Sequence, residues 1–389
     1  MRIFIFIFFS MSLLFGFEKK ITLQLGGVAY NNYANELLAQ GKGEFHFENE
    51  LFTTDANVEF LYSSRYTQRR YLLLNELYIV KDFEEYSIRF GKEIKYFGEL
   101  EGYNIADFYN QKNYLKDPFD KSAKYGTLGI DITRYFEDNS ITFGMKLYED
   151  EIPYPQHNTP YAPFQLSYDE SLHVSDKKGT PTPYMIMNFV NDTFVESETQ
   201  LIFLRGYDTK RSFVFLTPNK LSQYAYRVNK ALLLSHIIFH DTIYKTELAY
   251  TDILDESFMS NYTQLSFGIE KSFYDFYGSD LTFYGEYYRY LYSDDTKMKN
   301  IDISEIYDDD IFLALRFALN DVSNSEIKVG LLQDTHKKER VLKVEAKKRL
   351  LEKFVVQLQY LNIFAKTDNT LLHPFDNANR LNLSLSYTF

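Results

Sequence analysis

The sequence predicts an all-β fold. It is a transmembrane antiparallel up-and-down β-barrel of 18 strands, with 16 the open alternative, and a long loop folded into the lumen. Three observations predict it. The last nine residues alternate strictly between apolar and small polar side chains. Short and long polar connections alternate along the chain. The chain also holds 34 Tyr and 35 Phe while 25% of its residues are charged. A soluble protein has no evident use for so many rings in so polar a chain. In a barrel, every strand crosses two membrane interfaces where rings belong.

The composition excludes several classes. Mean hydropathy is −0.34, which leaves no room for several apolar helices of about 20 residues. Disordered chains are poor in aromatics. There is no cysteine, so zinc ribbons, iron–sulfur clusters, thiol catalysis and disulfide scaffolds are out. The net charge of −12 is the wrong sign for a nucleic-acid partner. The start, Met1-Arg2 followed by an apolar run over residues 3–15 and then Gly16-Phe17-Glu18-Lys19-Lys20, reads as a secretory signal peptide. The expected organisation is a signal peptide over 1–16 and a single barrel domain over 17–389.

The C-terminal strand puts Leu381, Leu383, Leu385, Tyr387 and Phe389 on one face and Asn382, Ser384, Ser386 and Thr388 on the other. In a membrane barrel the first face meets lipid and the second lines water. An aromatic end in this register resembles the C-terminal signal that the assembly machinery of Gram-negative outer-membrane barrels reads, with Tyr387 and Phe389 as its residues. The alternation recurs around Ile141, Phe143 and Met145, around Leu265, Phe267 and Ile269, and around Leu313, Leu315 and Phe317. It recurs again around Ile327, Val329 and Leu331, and around Phe354, Val356, Leu358 and Tyr360.

Connections count the strands. Short turns fall near 51–54, 82–85, 137–140, 191–197, 240–242, 273–279, 320–325 and 350–353. Longer segments fall near 31–40, 64–69, 95–124, 150–181, 209–223, 253–260, 292–308, 335–338 and 366–377. Eight short and nine long connections make 18 strands, with both termini on the short-turn side. The 95–124 segment is aromatic and charged, and loops of that length are usually functional; it is the candidate constriction, with Lys95, Glu99, Glu101 and Asp107 as its charges. The 150–181 segment holds Pro153, Pro155, Pro160, Pro163 and Pro181 and reads as a rigid external cover.

Strand parity assigns charges to the lumen, because a charge facing lipid costs about 2–4 kcal/mol at mid-bilayer. Lys146, Lys245, Arg316, Lys328 and Lys343 point inward as bases. Glu247, Glu270, Glu286, Glu326 and Glu345 point inward as acids. This balance implies no clear ion preference. The acidic runs Asp294-Asp295 and Asp308-Asp309-Asp310 read as solvated loops, with divalent-cation binding near lipopolysaccharide as the alternative.

A resemblance adds to this reading. Asn75-Glu76-Leu77-Tyr78, Ser87-Ile88-Arg89-Phe90-Gly91-Lys92-Glu93, Phe97-Gly98-Glu99 and Gly102-Tyr103-Asn104-Ile105-Ala106-Asp107 together resemble a signature of uncharacterised porin-like outer-membrane β-barrels of Gram-negative bacteria. Phe97 stands where that family usually has tryptophan, and Asn110-Gln111 where it has Asn-Pro. Asp376-Asn377-Ala378-Asn379-Arg380 also resembles that family. The resemblance implies a channel-like barrel and names no solute. Within the signature, Glu76 and Arg89 are expected opposite each other in the lumen. Gly91 and Gly98 are expected to let the backbone turn inward, and Asp107 to reach a luminal, pore-lining base such as Arg89, Lys92 or Lys95.

The expected function is a porin-like channel for passive diffusion of small hydrophilic or mildly amphipathic solutes. No cofactor or metal is expected. The expected partners are lipid, lipopolysaccharide, the assembly machinery and the solute. One alternative is a plugged surface-interaction barrel working through loops 150–181 and 292–308. The other is a barrel hydrolase using Ser235, His236, His240 and Asp241, although no nucleophile-elbow motif is present. Most tyrosines should lie in two interfacial rings or along 95–124.

Overall fold

The computed structural model describes residues 18–163, 166–175, 180–193, 195–254, 256, 258–298, 306–366, 370 and 372–389. The expected signal peptide over 1–16 lies outside them. In chain order the strands begin β1 (Glu18–Tyr30), β2 (Glu36–Glu48), β3 (Thr53–Ser63), β4 (Tyr71–Asp82), β5 (Tyr86–Glu93), β6 (Gln111–Lys112), β7 (Lys124–Tyr125) and β8 (Thr127–Phe136). Next come β9 (Asn139–Lys146), β10 (Ser167–Val174), β11 (Thr182–Asn191), β12 (Glu196–Tyr207), β13 (Ser212–Thr217), β14 (Lys220–Ala225), β15 (Arg227–Phe239) and β16 (Thr242–Ile253). The last are β17 (Tyr262–Phe276), β18 (Ser279–Tyr292), β19 (Asp310–Ala318), β20 (Glu326–Asp334), β21 (Glu339–Leu350), β22 (Phe354–Ala365) and β23 (Arg380–Thr388).

Eighteen of these form one antiparallel sheet. Each wall strand pairs with its neighbours in sequence, and β23 closes the ring on β1 from Thr22↔Thr388 to Tyr30↔Arg380. Closure leaves no wall edge unpaired, which lipid demands. The eight short and nine long connections fall where the sequence places them, and 18 replaces the alternative of 16.

Parity also holds. Leu381, Leu383 and Leu385 on β23, Leu313 and Leu315 on β19, and Ile327 and Val329 on β20 are exposed on the outer surface. Between them, Ala314, Arg316, Gln357, Gln359, Asn382 and Ser384 turn inward. At the chain end the Tyr387 ring lies 4.7 Å from Phe354 and 4.6 Å from Phe389.

Tyrosine is divided differently from the expected two rings. Tyr86, Tyr135, Tyr274 and Tyr360 are exposed on the outside and Tyr109 lies on the 95–124 loop, but Tyr184, Tyr226, Tyr262 and Tyr288 are buried on other segments. The buried group is concentrated at the long-loop end and inside the barrel, where a ring fills space and its hydroxyl finds a carboxylate. Tyr262 donates to Asp208 at 2.5 Å and Tyr71 donates to Glu59 at 3.1 Å.

The proline-rich loop is more than an external cover. Its strand β10 lies parallel to β14, which pairs with β13, so loops 147–181 and 208–226 build a second, three-stranded sheet. Buried Tyr161 carries the first of these loops to the far wall. There its ring lies 3.8 Å from the Arg69 guanidinium and 5.0 Å from that of Arg380.

Leu383→Arg should lower unfolding stability in vesicles by about 2–4 kcal/mol, and Gln357→Arg on the inner face by much less. Denaturant titration of the folded barrel checks both.

Candidate functional site

The 94–126 loop leaves the wall after β5, and its base is held by one irregularity. Asn57 pairs with Glu76 but Val58 pairs with Leu74, so Asn75 is an extra residue on β4, a β-bulge. The bulge turns the Asn75 side chain inward, where it is buried. It receives the Gly126 N–H at 2.9 Å and donates to Lys124 O at 3.2 Å. Glu76 beside it accepts the Ile94 N–H at 3.1 Å and Asn57 Nδ2 at 3.0 Å. Asn110 ties the two limbs together. It accepts the Lys95 N–H at 2.7 Å and donates to Glu93 O at 2.9 Å and Tyr125 O at 3.0 Å.

Beyond its base the loop crosses the lumen, and its peptide N–H groups have no strand partner. Unpaired buried N–H groups are costly. The wall answers with carboxylates, which accept several bonds and bond more strongly than neutral acceptors. Glu247 on β16 accepts the N–H groups of Glu99 at 3.1 Å and Ile105 at 3.2 Å. Glu286 on β18 accepts those of Glu101 at 2.5 Å and Gly102 at 2.9 Å. Gly98 permits the approach. Its φ is +76°, and a Cβ there would meet Glu247 Oε1 at 2.1 Å. Lys245 donates to Glu99 O at 2.8 Å and pairs with Glu270 at 2.6 Å, while Lys328 on β20 bonds to Glu101.

The distal limb is anchored on the opposite wall. Arg380 at the start of β23 grips Asp117 at 2.7 Å, and Phe119 packs on Phe375 at 5.2 Å. Arg69 donates to Leu115 O at 2.9 Å, and Lys116 pairs with Glu59 at 2.9 Å. Ile105, Ala106, Phe108 and Tyr109 pack on Ile202, Leu204, Leu232, Leu234 and Ala249. The inner face of β12, β15 and β16 is therefore apolar here. The sequence signal was present, because Leu201-Ile202-Phe203-Leu204 and Leu232-Leu233-Leu234 are apolar on both faces. A strand of that kind is covered on both sides, and the alternation reading passed over it.

Several expectations are corrected. Glu76 and Arg89 share a face but do not meet. The hairpin pairs Asp82 with Ser87, which sets Arg89 against Val80, and Arg89 pairs instead with Glu93 at 3.0 Å. Lys92 is not luminal. It lies in register with Leu77 and Leu128, the outward parity. Gly91 stays in the wall, paired with Tyr78 and Gly129. Asp107 meets none of Arg89, Lys92 and Lys95. The β6–β7 hairpin brings Lys124 back to it at 2.7 Å. Lys95 bonds to Asp131, and donates to the Tyr184 hydroxyl at 2.8 Å.

The other wall charges read as luminal are paired. Lys146 lies 2.8 Å from buried Glu149, which Arg211 also holds at 2.7 Å. Arg316 pairs with Glu326 at 2.6 Å and Lys343 with Glu345 at 3.2 Å.

The loop separates two cavities. The one on the long-loop side is lined by Lys112, Lys121, Lys124, Lys210 and Lys230, with Asp107 and the rings of Tyr103, Tyr114 and Tyr307. Tyr103 and Tyr307 stack at 4.5 Å. The cavity on the short-turn side is lined by Glu99, Glu198, Gln200, His236, Lys245 and Glu247. His236 Nδ1 lies 3.1 Å from Glu99. The first holds five lysines, of which Lys124 and Lys230 are paired with Asp107 and Asp208, and the second holds three glutamates beside Lys245 and His236, a difference that counting inward charges around the wall could not reveal.

The hydrolase constellation does not assemble. Ser235 and His236 are consecutive on β15 and face opposite ways, and Ser235 bonds Thr199 at 2.9 Å. His240 and Asp241 form the tight turn itself, with φ of 48° and 56°. Among the described residues, no group of three or more His, Asp or Glu side chains is arranged to hold a metal ion. In the acidic run, Asp309 pairs with Arg289 and Asp308 accepts the Tyr290 N–H at 3.1 Å.

No protein-family model matches the chain, and no curated protein matches it in sequence. Solved structures match its fold. Pseudomonas aeruginosa OccK3 (OpdO) matches with TM-score 0.56 at 9% identity, covering 98% of both chains. P. aeruginosa OccK2 (OpdF) matches with TM-score 0.55 at 10% identity, covering 96% of this chain and 97% of that one. P. aeruginosa OpdK with vanillate matches with TM-score 0.55 at 9% identity, covering 96% and 98%. The chain therefore has the closed 18-strand fold of these porins.

Two predictions follow from the anchoring. Glu247→Ala with Glu286→Ala should speed amide exchange over 98–106 by at least about tenfold, since each carboxylate bond is worth about 1.5–3 kcal/mol. Mass-resolved hydrogen exchange measures it. Burial acts to raise the Glu101 carboxyl, but Lys121 and Lys328 outweigh it and hold the group below the ordinary range. A lowered carboxyl stabilises fully above its unfolded value of about 4.3 and loses that stabilisation as pH falls through the lowered one. The share of loop protection that comes from the Glu101–Lys328 and Glu101–Lys121 contacts should therefore be lost as the solution is acidified through that lowered value.

Proposed function

We propose that this chain is a porin-like channel of the Gram-negative outer membrane. It passes small hydrophilic or mildly amphipathic solutes by passive diffusion, and loop 94–126 is its constriction. One observation carries this reading. The loop is pinned at mid-lumen by Glu247, Glu286 and Lys328 from three strands, with a polar cavity on either side. The five lysines of the outer cavity favour small anions, and its tyrosines favour those carrying an apolar ring. The OpdK structure with vanillate supplies a relevant probe. Lipid and lipopolysaccharide surround the barrel, and the assembly machinery reads Tyr387 and Phe389.

The second reading is a plugged barrel acting through its surface loops. It draws support from the inner sheet β10–β14–β13 and from buried Tyr161 at the far wall.

Planar-bilayer recording separates the two. Folded protein should give single-channel steps, and deletion of 98–121 should raise conductance several-fold, on the order of 3. Absence of steps from both forms supports the plugged barrel. With Lys112→Glu and Lys121→Glu together, the reversal potential in a salt gradient should move toward cation preference, and vanillate should block less.

A further inference from the structure

The rim at the short-turn end is chemically divided, and the channel reading makes no use of the division. Consecutive stations around the ring are the β17–β18, β19–β20 and β21–β22 turns, the C-terminus, and the β2–β3 and β4–β5 turns. They carry Tyr277, Val322, Leu351, Phe389, Leu51 and Phe83, with exposed Glu50, Glu84, Glu85 and Glu352 beside them. Val322 is 100% exposed, Tyr277 94% and Leu351 87%, and the other three are more than half exposed. The opposite arc carries Glu137 and Asp138 at β8–β9, and His240 and Asp241 at β15–β16, all exposed. Between those two turns, Asp192 and Thr193 are exposed and Phe194 lies outside the described residues, while exposed Phe136 and Phe239 end the strands that lead into the other two turns.

Turn chemistry does not account for the apolar arc. Tight hairpin turns favour Gly, Asn and Asp where φ is positive. Tyr277 and Leu351 sit there at φ 53° and 48°. Bulky side chains are outliers in that region; Leu351 is largely exposed, and the Tyr277 ring meets Phe276 edge-on at 4.9 Å.

The arc continues the lipid-facing band. Above it on the outer surface lie exposed Phe273, Tyr274 and Phe276. Lys81 Nζ lies 5.8 Å from the Phe83 ring, and Lys353 Nζ lies 5.9 Å from the Tyr387 ring. Rings with ammonium groups beside them suit the boundary between acyl chains and phosphates. The geometry points to the periplasmic-leaflet phospholipid surface as the occupant of this arc. The six apolar tips enter the headgroup–acyl boundary, so the barrel sits deeper on this side than on the acidic arc. The inference rests on the barrel spanning a bilayer, which insertion measures separately.

The natural chain has no tryptophan, so one introduced indole reports alone. Val322→Trp, Phe83→Trp and Asp138→Trp are reconstituted in phosphatidylethanolamine–phosphatidylglycerol vesicles whose acyl chains are brominated near the headgroup. Flotation shows insertion, and heat-modifiable electrophoretic migration shows folding. Leu51→Trp replaces either apolar-arc variant that fails to fold. Quenching should be at least about twofold greater for the apolar-arc variants than for Asp138→Trp. Equal quenching in both arcs overturns the inference. So does an absence of quenching in the apolar arc of floated, folded protein, the result expected if a protein partner covers those tips.

Discussion

A backbone that leaves a barrel wall carries unpaired N–H groups into the lumen, and the rest of this structure depends on how they are satisfied. Wall strands spend their peptide groups on one another. The 94–126 loop has no such partner over residues 99–105. Glu247 and Glu286 replace the missing strand, each accepting two N–H groups from residues close in sequence. A carboxyl side chain suits this role because its two oxygens accept more bonds than a carbonyl. The loop thereby gains a fixed height in the barrel.

That arrangement decides what the other charges do. With Glu76, Glu247 and Glu286 committed to backbone, the solvent-facing chemistry passes to the loop itself. Glu99 reaches His236 on one side of the loop, and Asp107 holds Lys124 on the other. Tyrosine serves the same economy of space. Tyr262 and Tyr288 fill the crowded interior with rings and present a donor to Asp208 and Glu286. Phenylalanine would fill the space and leave the carboxylate short of a partner.

Much of the fold was legible because alternation and turn chemistry are local. Leu381 to Phe389 declare their two faces in nine residues, and Asp, Asn and Gly clusters mark the turns. The inward direction of Lys245, Glu247, Glu286 and Lys328 follows from parity alone. Their roles do not, since a carboxylate facing water and one facing a peptide N–H look alike in sequence. The Glu76–Arg89 pair shows the limit at short range. Face was read correctly, but register was set by the Asp82–Ser87 closure of the hairpin. Asn75 shows it again, because one bulge residue shifts parity along the strand and buries a side chain at the root of the loop.

The sequence by itself determined the barrel, its lipid-facing side and the segment that leaves the wall, and it narrowed the strand number to 18 or 16. Each rests on a period of two or on residues a few positions apart, which the chain carries wherever it is placed. Only the tertiary structure decided where that segment goes and what it does to the lumen. Glu101 meets Lys328 across 227 positions and Asp117 meets Arg380 across 263. Such partners are chosen by barrel closure, which sets distant strands at the same height and leaves no trace in local pattern.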